Sequence, residues 1–215
     1  MATSRKKEIL WAGAKLAVFA ALILLQIPFA VVFVLVGLAV EILLRTLRWS
    51  DIGLQKPSRI PAVLLVGFVS AAAYQLAAIR ILLPFLASVT GKPIDLQSVI
   101  ALRGNPWNLV AALVVSWTFA AFGEEILYRG YLYFLAGRLL RNSTTARVVG
   151  VIFCSFLFAI GHGYQGVSGM IENFIFGFLL GAVFEMAGKD LWYPIAIHGF
   201  EDTIGFALIF LGLYP

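Results

Sequence analysis

The chain has 215 residues, of which 61% are hydrophobic and only 13% charged, with a net charge of +5 and a mean hydropathy of +0.96. Such values exclude a soluble globular domain and put the chain among polytopic membrane proteins. Its apolar stretches run long and unbroken where a barrel would alternate with period two, so the expected class is all-α, a polytopic transmembrane helical bundle whose excess positive charge sets loop orientation and implies no nucleic acid.

Met1–Lys7 is basic and no A-x-A-like cleavage site follows, which predicts an uncleaved anchor. With about 20 apolar residues needed per crossing, about seven spans are expected: Ile9–Gln26, Phe29–Leu44, Ile60–Leu83, Leu109 to Leu127, Ala146–Ile160, Ile171–Ala187 and Ile195–Leu213. Residues 9–44 are too long for one crossing at 1.5 Å per residue, and they have only Gln26-Ile27-Pro28 to turn on. Reading them as a hairpin puts Arg5, Lys6, Lys7, Arg45, Arg48, Lys56, Arg59, Arg138, Arg141, Arg147 and Lys189 on one side, against Lys92 and Arg103 on the other. That asymmetry predicts a multi-pass integral membrane protein with a cytoplasmic amino terminus. Turn-rich segments fall at Ser50–Pro61, Thr90–Gln97, Arg141–Arg147 and Ala187–Pro194. One domain over 1–215 is expected, with a motif-bearing core at 107–213. Gly177 and Gly181 form a small-xxx-small pair suited to close helix approach. The lone cysteine, Cys154, rules out a disulfide framework and a cysteine-based zinc site.

Ionisable groups at membrane depth are costly, so each one inside a span is a functional candidate. Glu8, Lys15, Glu41, Glu172 and Glu185 lie near predicted span ends, where snorkelling explains them, and Arg80 is expected at an interface. Glu124, Glu125 and Arg129 follow about fifteen apolar residues on one helix and are different. Residues four apart share a face, so Glu125 pairs with Arg129, while Glu124 points about 100° away over Tyr128 and remains the free carboxylate, suited to acid–base work. A plain helix–helix salt-bridge network is the competing reading of these three. The chain has two histidines, and neither is in a solvated tail. His162 follows Phe158 by one turn between Gly161 and Gly163; His198 has Glu201 and Asp202 within reach on its own face.

Glu124-Glu125-x-x-x-Arg129, Phe158-x-x-x-His162 and His198-x-x-x-Asp202 resemble, in order, the three motifs of the CAAX-protease and bacteriocin-processing (Abi) intramembrane endopeptidases. The segment "FGFLLGAVFEMAGKDLWYPIAIH" is similar to that family's glycine-rich helix and its continuation. The resemblance implies a membrane-embedded peptidase acting on a peptide or prenylated-protein substrate among membrane lipid. It makes Glu124 the water-activating base, His162 its assistant, His198 and residue 202 the oxyanion-stabilising pair, and Glu125 with Arg129 the supports of the site. The family usually has Asn where this chain has Asp202. An ionised Asp cannot donate to an oxyanion, so Asp202 must be protonated there or must orient His198. No H-E-x-x-H helix is present and metal-free activation of water is favoured; the alternative is a zinc ion held by His162, His198 and either Glu124 or Asp202. Rival functions are a non-catalytic membrane scaffold or bacteriocin self-immunity protein, and a proton-coupled transporter, which the lack of inverted repeats disfavours. His162 is expected far along an outward-running helix and His198 near the inner start of its own, so the two depths disagree unless tilt, a kink at Gly123 or re-entrance of "KDLWYP" reconciles them.

Overall fold

The computed structural model describes residues 2–27, 29–57, 59–140 and 143–214, with side chains from residue 6 onward. Pro28 and Arg141, and the side chain of Arg5, therefore lie outside the described residues. Within them the chain is helical, with no strand. Seven helices follow in order: α1 Ala2–Leu24, α2 Ala30–Leu43, α3 Ile60–Thr90, α4 Pro106–Leu139, α5 Thr144–Gly161, α6 Gly166–Met186 and α7 Trp192–Phe210. Side chains cap two of the starts. Asn105 accepts from the amides of Trp107 and Asn108, both at 3.1 Å, ahead of Pro106, and Ser143 accepts from the Ala146 amide at 3.1 Å.

Four helices, α3, α4, α5 and α6 with the 3-10 turn before it, are long and apolar enough to cross a membrane. The other three are not so marked. At 14 residues α2 is short for the hydrocarbon core, and α7 carries His198, Glu201 and Asp202. The largest departure from expectation is α4. Its span was expected to end near Leu127, at the charges, yet the helix runs on to Leu139 and every residue from Glu125 to Tyr133 is buried. Charges end a span only when they seek water, and here the protein interior neutralises them. Much of α4 is wound as π-helix, over Ser116–Glu124 and again over Ile126–Leu132, so Gly123 lies within a widened winding. Such i→i+5 turns collect at functional sites.

Close approaches through small residues hold the bundle together. A Cβ on Gly67 of α3 would lie 2.6 Å from that of Ala196 on α7, and one on Gly199 of α7 would lie 2.6 Å from the Trp117 ring of α4. On α6, a Cβ at Gly181 would reach Val151 of α5 at 2.7 Å, and one at Gly177 would come within 3.0 Å of Arg129. Gly177 and Gly181 therefore do set a helix–helix contact, as their spacing suggested. Phe158 and Leu157 of α5, Phe176 and Leu180 of α6, and Tyr131 and Leu132 of α4 meet in the resulting core.

Two predicted snorkelling groups turn inward instead. Glu41 accepts from Tyr131 and is paired with Lys15 at 2.9 Å, tying α2 to α4 and α1. Glu185 accepts from Tyr133 at 2.5 Å, with Arg147 and Lys189 each 3.7 Å away. Both carboxylates find partners on neighbouring helices, which sequence spacing within one helix does not display. Glu8 and Arg80 are exposed.

Candidate active site

Glu124, His162, His198 and Asp202 line a single cavity of about 350 Å³. The π-winding of α4 supplies Glu124, the carboxyl end of α5 supplies His162, and α7 supplies the other two. The disagreement in depth between the histidines disappears at Phe158, whose ring centroid lies 4.5 Å from that of His162 and 5.9 Å from that of His198. The "KDLWYP" segment packs on the loop before α3: the Leu191 amide donates to the Gly53 carbonyl at 3.1 Å and the Trp192 indole to the Gln55 carbonyl at 2.6 Å.

Behind the cavity wall, Glu125 is fully buried and one of its oxygens takes two donors, Arg129 Nη1 at 2.7 Å and His198 Nδ1 at 2.9 Å. Arg129 Nη2 donates to the Gly177 carbonyl at 2.8 Å, and its guanidinium lies 4.7 Å from the Phe158 ring centroid. The Glu125–Arg129 pair thus has the structural position expected of it, and it also holds His198. The expected orienting partner, Asp202, is 3.9 Å from His198 Nε2, too far for a hydrogen bond, and accepts instead from Ser116 Oγ at 2.5 Å. Ser116 is buried one helix away and no motif pointed to it.

The hydrogen bonds also fix which ring nitrogens face the cavity. His162 Nδ1 lies 2.8 Å from the Phe158 carbonyl, which can only accept, so Nδ1 carries the proton and neutral His162 presents the lone pair of Nε2. The same reasoning at the Glu125 carboxylate puts a proton on His198 Nδ1, leaving Nε2 to face Asp202 and the cavity. Glu124 is half-buried, and its Oε2 is a buried atom without a hydrogen-bond partner among the described residues. A buried polar atom left without a protein partner next to a cavity is where a water or a substrate group binds.

The cavity also has acidic and amide lining residues that the motifs did not mark. Glu172, expected at a span end, lines it and accepts from Tyr74 at 2.6 Å; Glu201 and Gln75 line it too. Among the described residues no group of three His, Cys, Asp or Glu side chains comes together as a metal-ligand set.

Fold and site together define a class: a helical integral-membrane protein with carboxylates and imidazoles gathered around one interior cavity. Residues 106–204 are similar to the family model described as type II CAAX prenyl endopeptidase Rce1-like. All six site residues fall inside the matched region, which covers just under half of the chain. No curated protein and no solved structure gives a significant match.

Proposed function

We propose that the protein is an intramembrane endopeptidase that hydrolyses a peptide bond of a membrane-associated or prenylated substrate with water activated by Glu124 and His162. The observation that carries this reading is the common cavity, in which the unpartnered Glu124 Oε2 and the free nitrogen of His162 come from separate helices to one space. A water bound there gives one proton to Glu124 while its other hydrogen is held by His162 Nε2. Its oxygen forms a bond to the peptide carbonyl carbon. The carbonyl oxygen becomes an oxyanion, for which protonated His198 offers Nε2–H as donor. Glu124 then returns its proton to the leaving nitrogen as the C–N bond breaks.

Glu125 fixes the ring of His198 for this task, with Arg129 fixing Glu125 in turn. Asp202 takes a different part from the family's Asn. It accepts the Ser116 hydrogen bond and lies 3.9 Å from His198 Nε2, on the side from which that nitrogen serves the oxyanion. The amino terminus is assigned to the cytoplasm on the asymmetry of loop charge.

The test is purified full-length protein with a prenylated CAAX peptide and an unmodified peptide panel, with and without chelator. Wild type is expected to cleave without added metal, and Glu124→Gln and His162→Ala are expected to stay folded and lose cleavage. Undiminished cleavage by either variant refutes the assignment. Loss of wild-type activity with chelator, restored by zinc, refutes the metal-free route. Absence of cleavage with membrane protection intact in Glu124→Gln supports the scaffold or immunity reading.

A further inference from the structure

One side of the cavity is not used by this mechanism. Asp95, Glu172 and Glu201 line it in addition to Glu124 and Asp202, and among its described lining residues there is no lysine or arginine. One Glu172 oxygen receives the Tyr74 hydroxyl, and Glu201 lines the cavity beside its chain neighbour Asp202. Beside them Gln75 is only 2% exposed, lines the same cavity, and has neither its amide nitrogen nor its amide oxygen hydrogen-bonded among the described residues. An amide with both functions unmet complements a group that offers a donor and an acceptor together, which a peptide unit does. A cationic group placed among clustered carboxylates in a low-dielectric interior stabilises their ionised form. They do not gather as a metal-ligand set, so an organic cation suits them better than a metal ion.

We propose that the wall formed by Glu172, Glu201 and Gln75 is a substrate subsite for a lysine or arginine side chain adjoining the scissile bond, with the carboxylates taking the charge and Gln75 the neighbouring peptide group. The proposal rests on the peptidase reading for its meaning but is tested by binding. Tyr74 positions Glu172 within this subsite.

The experiment uses full-length protein carrying Glu124→Gln in detergent, and two labelled peptides, acetylated and amidated, that differ only in a central arginine or citrulline. Fluorescence anisotropy is expected to give about tenfold tighter binding of the arginine peptide, the usual scale for a charge-assisted hydrogen bond. Adding Glu172→Gln and Glu201→Gln is expected to bring the ratio close to one; Glu201→Gln alone, isosteric and less disruptive, is expected to lower it. Equal binding of the two peptides, absence of binding by both, or a ratio untouched in these variants overturns the proposal. Cleavage separates it from the reading beneath it. Wild type that cuts both peptides equally loses the subsite and keeps the peptidase, whereas arginine-selective binding with no cleavage keeps the subsite and loses the peptidase.

Discussion

Arg129 is 3% exposed and holds three things at once: Glu125 at 2.7 Å, the Gly177 carbonyl at 2.8 Å and the face of Phe158 at 4.7 Å. Arg129→Met keeps most of the volume and removes the charge. It leaves the fully buried Glu125 carboxylate with His198 as its partner and strips the Gly177 carbonyl of its side-chain donor. Two magnitudes compete. Interhelical hydrogen bonds in membranes average about 0.6 kcal/mol in measured cases, whereas removing one partner of a buried ion pair costs about 3–5 kcal/mol because a charge is stranded. The second governs here, because Glu125 is sealed from solvent and its other oxygen already lacks a partner among the described residues. Unfolding in detergent, followed by circular dichroism against increasing dodecyl sulfate, should therefore show Arg129→Met destabilised by about 3 kcal/mol or more. Glu125→Gln combined with Arg129→Met should cost less than the sum of the single changes, since the stranded charge is gone. A loss below about 1 kcal/mol for Arg129→Met, or strict additivity in the double variant, would refute the account of this pair as the strut behind His198.

Gly67→Val drives a side chain into Ala196, 2.6 Å from the Cβ position, and should cost about 1–3 kcal/mol by pushing α3 from α7, read in the same unfolding assay. An unchanged midpoint would mean that the two helices have slack. Ser116→Ala takes the 2.5 Å donor from Asp202 and is expected to lower kcat with little effect on the melting temperature; equal kcat would remove Asp202 from the account of His198. Lys15→Ala breaks a bridge whose lysine is 35% exposed, so the change should stay below about 1 kcal/mol, and a larger loss would show that the α1–α2 pair is better sealed from solvent than it looks.

Composition and hydrophobic runs sufficed for an all-helical membrane protein, because lipid leaves the backbone no alternative but to satisfy itself within each segment. Spacing within one helix sufficed for the Glu125–Arg129 pair and for the separate face of Glu124, since i and i+4 are neighbours whatever the rest of the chain does. Four residues of the three short motifs, Glu124, His162, His198 and Asp202, line the cavity. The span limits were less legible. At α4 the charges read as the end of a crossing, yet they are buried mid-helix and the helix continues to Leu139.

What the tertiary structure alone decided is which groups meet across helices. Glu125 and not Asp202 holds His198, Ser116 holds Asp202, Glu172 turns from a supposed headgroup contact into a cavity wall, and Gln75 joins it from α3. A carboxylate near a span end can snorkel outward or reach a neighbour's hydroxyl at equal sequence cost, and only the packing of the neighbouring helix settles which is nearer. The π-windings add to this, since they change the rotation per residue along α4 and with it the direction of every side chain beyond them, a quantity that hydropathy does not encode.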